Sequence, residues 1–464
     1  MDQIDWLSEE DLENIDLDEP QVDDVDDVEK REARRRRRKQ SQRVAYISMA
    51  VFLAVLIVGV SLAVGIHIRN GRKQEIAQQE QQQQKVDALF ASEEEIVLTQ
   101  DGEVDSTELV TEMTPEQKLD EIVNAGIEVM PLEDKVAGLF IVTPEAITGV
   151  GTAIKAGDGT KEALSQYAVG GVVYFGKNMQ SAEQISEMIE NTVLYSKYPL
   201  FIAVDEEGGS VSRVADAGLA DKSLSALEIG ETGNPNLAYE TGTKIGTYLS
   251  ELGFNLDFAP DADLNSLENN ALGTRTYGKT AEEAIPYVTS MMKGLEEQKV
   301  TACLKHFPGI GNTTQDTHDG ISMTDRTKEQ FYDEEFKVFQ AGIDNGANMI
   351  MVGHVSAPYL TVDSIPCSMS SVVVTDILRN EMGFKGVIIS DAMNMAAVSD
   401  YYSSEEAAVQ ALRAGCDMIL MPENFEEAYQ GVLWAVQDGV ISEERINDSL
   451  RRIYRIKYAD KIAQ

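Results

Sequence analysis

The sequence predicts an α/β fold, a (β/α)8 TIM-barrel-like domain preceded by a single transmembrane helix and a disordered acidic N-terminus. Three observations lead to this prediction. Eight short apolar segments alternate with amphipathic segments between residues 138 and 421. An uncharged apolar run occupies residues 44–66, and the first 29 residues are rich in Asp and Glu but contain no Lys or Arg.

Residues 1–43 are predicted to form a cytoplasmic tail that is first acidic and then basic. The acidic part has too little apolar surface to offset the entropy of ordering, so we expect it to be disordered. It is either a solvated tail or a docking site for a cytoplasmic partner. The run RRRRRK lies directly before an apolar segment in a chain of net charge −40. A strongly acidic protein repels phosphate backbones, so no nucleic acid is expected as a partner.

Residues 44–68 are predicted to form the transmembrane helix. The uncharged run Val44–Ile66 would span roughly 34 Å as a helix, enough for the hydrocarbon core of a bilayer. A buried core helix is seldom so uniformly apolar, and a cleavable signal peptide would lie nearer to Met1. The arginines before the span place the N-terminus in the cytoplasm. We therefore expect a single-pass protein of the cell membrane that contacts the lipid bilayer and has its main domain outside the cell.

Residues 69–116 are predicted to be a low-complexity stalk, because they include the stretch AQQEQQQQK and lack a clear apolar period. The folded domain is expected at 117–464. Its three cysteines, Cys303, Cys367 and Cys416, are too scattered for a disulfide framework and have apolar neighbours. These thiols are therefore expected to be buried.

Eight strands are predicted in the folded domain, each from a nearly continuous apolar run. The runs are GLFIV (138–142), GGVVYF (170–175), LFIAVD (200–205), NLDFAP (255–260), TACLKHF (301–307), MIMVGH (349–354), GVIISD (386–391) and CDMILM (416–421). Helical periodicity separates them, for example in SAEQISEMIENTVLYSKY and SSEEAAVQALRAG. A doubly wound open sheet is the alternative to a barrel of eight such units.

Ionisable residues stand at the ends of five of these runs, and their placement favours the barrel. They are Asp205, then Asp261 and Asp263, then Lys305 and His306, then His354, and finally Asp391. The carboxyl ends of the strands form the active-site face of a (β/α)8 barrel, so these side chains are expected to converge at one mouth. Such a polar site suits a polyhydroxylated ligand.

The segment KHFPGIGNTTQDTHDG (305–320) contains two of the four histidines of the chain, His306 and His318. It could hold a metal ion, perform acid–base chemistry or form a structural turn. No third His or Cys stands at a ligand spacing, so no metal and no cofactor are predicted. Acid–base chemistry is the favoured interpretation.

Five motifs resemble the signature segments of glycoside hydrolase family 3. They are DEEGGSVSR (205–213), GTRTYG (273–278), KHFPGIGNTTQDTH (305–318), GHVSAP (353–358) and ISDAMNM (389–395). The chain is most similar to the single-barrel bacterial β-N-acetylhexosaminidases, from about Pro131 onward. The resemblance implies a retaining exo-glycosidase that acts on terminal β-linked N-acetylglucosamine of glycans or cell-wall fragments.

The resemblance also implies the catalytic residues. Asp391 matches the nucleophile, which forms a covalent glycosyl-enzyme in a retaining mechanism. Asp316 and His318 match an Asp–His pair that acts as the general acid and base. Histidine suits both roles because its ordinary pKa is near 6.5.

The family's sugar-binding positions match Asp205, Arg213, Arg275, Lys305 and His306. Two residues depart from the branch, since Ile310 stands where His is usual and Asn312 where Asp is usual. These two substitutions put the N-acetyl preference in question. Ala392 replaces an acid that often follows the nucleophile.

Three alternatives to this function remain at the level of sequence. A β-glucosidase or β-xylosidase of the same family would usually carry a second domain. A non-catalytic sugar-binding membrane sensor would not need Asp391, Asp316 and His318. Phosphorolysis in place of hydrolysis is compatible with a histidine base, which does not repel phosphate as a carboxylate does.

Overall fold

A computed structural model describes residues 113–267, 270–313, 320–361 and 364–462 of the chain. It contains ten strands in chain order: β1 (Phe140–Val142), β2 (Gly171–Val173), β3 (Phe201–Val204), β4 (Glu206–Gly208), β5 (Val211–Ser212), β6 (Leu256–Asp257), β7 (Thr301–Phe307), β8 (Met349–Val352), β9 (Val387–Ala392) and β10 (Met418–Leu420).

Eight of these strands close into a parallel barrel in the order β1-β2-β3-β6-β7-β8-β9-β10, with β10 returning to β1. Seven barrel strands lie within the predicted apolar runs, and β9 extends one residue beyond its run, to Ala392. The predicted barrel is confirmed, and the alternative of an open doubly wound sheet is wrong. The remaining strands, β4 and β5, form an antiparallel hairpin at the carboxyl end of β3.

Helices connect the strands on the outside of the barrel. They are α1 (Pro115–Val129), α2 (Leu132–Ala137), α3 (Pro144–Thr148), α4 (Asp158–Gln166), α5 (Ala182–Tyr195), α6 (Arg213–Asp216), α7 (Ala226–Glu231), α8 (Pro235–Leu252), α9 (Ala281–Glu296), α10 (Lys328–Asp333), α11 (Glu335–Asp344), α12 (Pro358–Thr361), α13 (Val372–Glu381, with π-helical hydrogen bonding), α14 (Ala396–Ser399), α15 (Ser404–Ala414), α16 (Phe425–Gln437) and α17 (Glu443–Ile462). Short 3₁₀ turns occur at Gly176–Asn178 and Cys367–Met369.

The folded domain begins with a capped helix. The Thr114 side chain accepts a hydrogen bond from the Gln117 backbone N–H at 3.2 Å, and the Gln117 side chain accepts one from the Thr114 N–H at 2.9 Å. This reciprocal capping box, followed by Pro115 at the first helical position, fixes the start of α1. The helix thus includes the last two residues of the predicted stalk.

The barrel interior is filled by the apolar residues of the eight runs, almost all of them buried. The three cysteines are buried, as expected. The predicted tail (1–43), transmembrane helix (44–68) and most of the stalk (69–112) lie outside the described residues, so these predictions stay untested. Within the described ranges, no helix combines the length and the apolar character needed to cross a bilayer.

A buried carboxylate ties the last helix to the amino-terminal side of the barrel. Asp417, which directly precedes β10, is fully buried and accepts hydrogen bonds from Arg379 at 2.6 Å and Arg452 at 2.9 Å. It also accepts bonds from the Ser449 hydroxyl at 2.7 Å and the Ile388 backbone N–H at 2.9 Å. One side chain therefore joins α13, β9 and α17.

We predict that Asp417→Asn strongly destabilises the folded domain. The change leaves the guanidinium groups of Arg379 and Arg452 without their counter-charge, and breaking a buried ion pair from one side typically costs about 3–5 kcal/mol. Urea unfolding of residues 113–464, followed by circular dichroism, measures the loss. Glu444→Gln is the matched control. Glu444 pairs with Arg451 on the solvent side of α17, the helix that also contains Arg452. Equal midpoints for the two variants would contradict the structural role of Asp417.

Candidate active site

The carboxyl ends of the barrel strands surround a cavity of about 720 Å³. Six of the residues that the sequence analysis selected line it: Asp205, Arg213, Arg275, Lys305, His306 and Asp391. They are contributed by the ends of β3, β7 and β9 and by the loops that follow β5 and β6. The predicted convergence on one mouth is therefore confirmed for Asp205, Lys305, His306 and Asp391, and the two arginines that the family resemblance implied line the same cavity. Asp316 and His318 lie outside the described residues, so their predicted role stays a prediction.

A buried network of ion pairs organises one side of the cavity. Lys305 donates to Asp205 at 2.8 Å and lies 2.7 Å from a carboxylate oxygen of Glu207. Arg275 donates two hydrogen bonds to the same Glu207, at 2.9 and 2.8 Å. This is the bidentate geometry that matches a planar guanidinium to a carboxylate.

Glu207 is the centre of this network. Burial opposes its ionisation, but Arg275 and Lys305 outweigh burial and hold the pKa of Glu207 far below its ordinary value. Burial acts to lower the pKa of Lys305, and Asp205 and Glu207 nevertheless raise it. Both groups therefore stay charged at neutral pH, and the cavity wall presents fixed ammonium and guanidinium donors to a ligand.

The hairpin β4–β5 positions Glu207 and Arg213 at the cavity. Its turn contains Gly208 with φ 90° and Gly209 with φ 60°, a left-handed conformation that side chains disfavour. A Cβ atom at Gly209 would also lie 2.6 Å from the Cβ of Ser225. The two glycines thus permit the tight turn of the hairpin. At the end of the hairpin the guanidinium of Arg213 lies over the ring of Phe175, 6.0 Å from its centroid.

His306 is held by a second carboxylate beneath the cavity. Its Nδ1 lies 2.8 Å from Asp263, whose carboxylate also accepts the backbone N–H groups of His306 at 3.1 Å and Ile310 at 2.6 Å. A carboxylate only accepts hydrogen bonds, so Nδ1 carries the proton and Nε2 faces Arg275 at 3.5 Å. Asp263 therefore fixes both the ring of His306 and the start of the following loop.

The glycines of this loop allow close packing. A Cβ atom at Gly311 would stand 1.8 Å from the backbone oxygen of Leu264, so the two loops could not approach as they do. Gly309 has φ 125° and packs against Glu335 of α11.

Burial raises the pKa of Glu335 to about 7, although Arg326 at 2.8 Å lowers it.

Asp261, Asp263 and His306 place three potential metal-ligand atoms within 4.8 Å of one another. Their hydrogen bonds argue against a metal site. Asp263 uses both oxygens for N–H donors, and the guanidinium of Arg275 lies 3.5 Å from Asp261. Burial, reinforced by the charge of Asp263, raises the pKa of Asp261 well above its ordinary value, which favours the neutral acid. The cluster fits a structural network better than a cation.

Asp391 stands at the end of β9, on the opposite side of the cavity from Glu207. One of its oxygens accepts the Ala392 backbone N–H at 2.8 Å. Burial acts to raise its pKa, but His306, His354, this hydrogen bond and Lys305 together lower the pKa below the ordinary value for Asp. The cavity therefore contains an ionised carboxylate close to several cationic or donor groups.

His354 does not line the cavity but lies behind Asp391. Its Nε2 donates to the Ala392 carbonyl at 3.0 Å, and its Nδ1 lies 2.7 Å from the Ser368 hydroxyl. Asp261 and Asp263 likewise lie beneath the cavity wall. The convergence expected from strand-end position is thus wrong for these three residues, whose side chains are buried in the protein beneath or behind the cavity wall.

The sequence motifs assigned no role to Glu207, although one signal could have identified it. Asp205 and Glu207 are two positions apart, and in extended backbone such residues face the same side. Glu207 is thus a second carboxylate on the same side of the chain as Asp205. Two carboxylates so close together require a neighbouring cation, and Arg275 and Lys305 provide it. The role of Asp263 depends on its contact with a loop 47 residues away.

This arrangement can bind a polyhydroxylated ligand beside an ionised carboxylate. Asp205, Lys305, Arg275 and His306 offer both donors and acceptors on one side, and Asp391 lies on the other. A carboxylate in this position can attack an electrophilic carbon of the bound ligand.

Comparisons with known proteins agree with the site. Residues 131–456 match the model of the glycosyl hydrolase family 3 N-terminal domain. The chain is 30% identical over 325 residues to beta-hexosaminidase A of Pseudoalteromonas piscicida, an alignment that covers 64% of this chain and 54% of the relative. It is 34% identical over 278 residues to a beta-hexosaminidase of Nitrosomonas eutropha, covering 58% of this chain and 79% of the relative.

Among solved structures, the fold is similar to that of a glycoside hydrolase family 3 β-N-acetylglucosaminidase from Paenibacillus sp. FPU-7. The TM-score is 0.67 at 32% identity, and the match covers 72% of this chain and 64% of that chain. The chain thus spans about half of the Pseudoalteromonas relative and less than two thirds of the Paenibacillus structure.

Proposed function

The chain belongs to glycosyl hydrolase family 3, and on this basis we propose that it is a retaining exo-glycosidase. Its substrate is a glycan or cell-wall fragment that ends in β-linked N-acetylglucosamine. The observation that carries the proposal is the position of Asp391. Its pKa is lowered although it is buried, and it faces the donors and acceptors that would hold a sugar, whereas Glu207, the other cavity carboxylate with a lowered pKa, is engaged by Arg275 and Lys305.

The first chemical step is the attack of Asp391 on the anomeric carbon. The carboxylate forms a bond to C1 while the bond from C1 to the leaving oxygen breaks, which gives a covalent glycosyl-enzyme. The lowered pKa keeps Asp391 ionised for this attack. The Ala392 N–H holds one oxygen of the carboxylate at 2.8 Å, and His354 holds the Ala392 carbonyl, so the nucleophile enters the reaction with a fixed orientation.

The second function, proton transfer, is assigned to His318 with Asp316. His318 gives a proton to the leaving oxygen and then takes one from the water that opens the intermediate. Asp316 orients the ring and stabilises its protonated form. This assignment rests on the match of D-T-H to the family motif, because the two residues lie outside the described part of the chain.

The N-acetylglucosamine preference is supported by the names of the relatives, and the isoleucine at position 310 keeps the loop attached. The hydrogen bond from this position to Asp263 uses the backbone N–H at 2.6 Å. Any residue except proline can provide that bond, so Ile in place of His leaves the attachment of the loop intact. The isoleucine side chain lines the cavity, where it offers an apolar surface.

We further propose that the enzyme is anchored in the cell membrane through residues 44–68, with its N-terminus in the cytoplasm and the barrel outside the cell. The support is the charge-free run after a cluster of arginines, together with the start of the folded domain at about residue 113. The segment between span and barrel then acts as a spacer. The acidic tail remains available to a cytoplasmic partner.

The substrate assignment predicts a defined pattern on a chromogenic panel. Residues 113–464 should release nitrophenol from the β-N-acetylglucosaminide faster than from the β-glucoside or β-xyloside, and addition of phosphate should not change the rate. Asp391→Asn removes the nucleophile but little volume. It should reduce turnover of every substrate to a small fraction of the wild-type rate. Preference for glucoside, or activity retained in the Asn variant, would refute the assignment.

The pH profile of the same reaction tests the lowered pKa of Asp391. Because the pKa of Asp391 is lowered, the reactive ionised form persists as the pH falls and is lost only below the ordinary range for Asp. Any decline of kcat/KM above about pH 4, the ordinary value for Asp, must then come from another group. Titration of the Asp391 carboxyl itself above about pH 4, followed by carbon NMR, would contradict the electrostatic role of His306, His354 and Lys305.

The acid–base assignment predicts that His318→Ala loses activity according to the leaving group. Substrates with poor leaving groups should slow by about 10²–10⁴-fold, the usual contribution of general acid–base catalysis. A dinitrophenyl glycoside needs little protonation, so its first step should be nearly unaffected and the Asp391 intermediate should accumulate in intact-protein mass spectra. Azide needs no base and should restore turnover. Uniform losses without trapped intermediate or azide rescue would show that His318 is structural.

The anchor proposal predicts that protease added outside intact cells releases an active fragment. That fragment should lack residues 1 to about 70, because only the part beyond the span is accessible. Mass spectrometry of the released protein identifies the cut, and a chain with residues 44–68 deleted is the control. Recovery of the full-length wild-type chain in the soluble fraction after cell lysis would refute the anchor.

A further inference from the structure

The two glutamates of β4 contact different parts of the protein. Successive side chains of a strand face opposite sides, and only one of these two lines the cavity. Glu207 does so and binds Arg275 and Lys305. Glu206 is 1% exposed and lies outside the cavity lining. Its carboxylate contacts the segment that follows β5 instead.

The carboxylate of Glu206 caps the short helix α6, which begins at Arg213. One oxygen accepts the Val214 N–H at 2.7 Å, and the other accepts the Ala215 N–H at 3.1 Å. The first N–H groups of a helix have no partner within the helix. The side chain of Ser212, which directly precedes α6, makes no capping bond. Glu206 therefore supplies, from the paired strand, the two bonds that the start of α6 requires.

Glu206 is itself held from two sides. Tyr248 of α8 donates its hydroxyl to the carboxylate at 2.8 Å, and the Glu206 backbone N–H donates to Asp257 of β6 at 2.9 Å. Burial raises the pKa of Glu206 above its ordinary value, although the bonds from Val214, Tyr248 and Ala215 act to lower it. The start of α6 is thus tied both to the barrel and to an outer helix.

Arg213 depends on this attachment more than the other cations of the cavity do. Lys305 and Arg275 lie 2.7 and 2.8 Å from the carboxylate of Glu207, which holds them directly. The buried Nε of Arg213 has no acceptor among the described residues. Its guanidinium lies over the ring of Phe175, a contact that restrains it less than an ion pair would. The place of this guanidinium in the cavity therefore follows from the backbone at 213–215.

We propose that Glu206 is a positioning residue for Arg213. By fixing the N–H groups of the next two residues, it sets the direction in which the Arg213 side chain leaves the backbone. The proposal rests on the proposed function, in which Arg213 binds the sugar. Glu206 acts through Arg213 and touches no substrate.

A double-mutant cycle separates this role from a general structural one. Glu206→Gln keeps the volume but replaces one acceptor oxygen by an amide nitrogen, so one backbone N–H loses its partner. In the full-length chain, kcat/KM for nitrophenyl N-acetyl-β-glucosaminide should fall by about fivefold, the effect of one lost hydrogen bond. In an Arg213→Ala background the same change should alter kcat/KM by less than about twofold, the usual error of additivity.

Tyr248→Phe tests the same role with a smaller change. It removes one donor to the Glu206 carboxylate and should lower kcat/KM by about two- to threefold, again only when Arg213 is present. If Glu206→Gln does not fold, this second cycle decides the question. Glu406→Gln is the matched control, because Glu406 caps a different helix, α15, by accepting the Ser403 N–H at 3.0 Å. Its kcat/KM should equal that of the wild type.

Hydrogen exchange at the amides of Val214 and Ala215 gives a readout that is independent of catalysis. Both amides should exchange faster in Glu206→Gln and at the wild-type rate in Glu406→Gln. Unchanged exchange in Glu206→Gln, or equal losses of kcat/KM with and without Arg213, would refute the positioning role and leave the proposed function intact. If the wild type releases no nitrophenol while exchange still accelerates, the proposed function fails and the attachment of α6 by Glu206 stands.

Discussion

The bidentate ion pair between Arg275 and Glu207, shared with Lys305, is the interaction on which the site depends. It joins the hairpin after β3, the loop after β6 and the end of β7, segments that are up to about a hundred residues apart in the chain. Removing one member of such a buried set leaves an uncompensated charge, which typically costs about 3–5 kcal/mol. The network therefore determines where Asp205 can meet a ligand and keeps the cations charged without a ligand present.

Two buried carboxylates on opposite sides of the cavity have lowered pKa values, whereas the pKa values of two neighbouring carboxylates are raised. Glu207 and Asp391 both have lowered pKa values, since cations or hydrogen-bond donors surround them. Asp257 and Asp261 are equally buried, but their pKa values are raised. Burial raises them, and neighbouring carboxylates add to the effect. Negative charge is therefore placed where a substrate can reach it, and Asp257 and Asp261 beneath are favoured in the neutral form. This division suits a site in which one carboxylate is to attack.

Much of the fold could be predicted because parallel strands buried on both faces produce continuous apolar runs. The run 301–307 coincides with β7, whereas only Leu256–Asp257 of the run 255–260 forms a strand. Pro260 has no N–H for the ladder, so the run overestimates the strand. Strand-end position correctly brought Asp205, Lys305 and Asp391 together. It could not show that His354 turns behind Asp391, and Arg213 and Arg275 were identified only through the family resemblance. The partners of Glu207 and Asp263 depend on distances across the barrel that no local pattern contains.

The loop after β7 shows how the sequence can change at a site while the backbone remains in place. Asp263 binds the N–H groups of His306 and Ile310, so the path of the loop is fixed by main-chain contacts. Gly311 then passes so close to Leu264 that no side chain would fit there. Between these two constraints the side chain at position 310 is free to vary, and it is this side chain that faces the ligand cavity. An isoleucine there offers the ligand cavity an apolar surface, while the backbone N–H of the same residue keeps its hydrogen bond to Asp263.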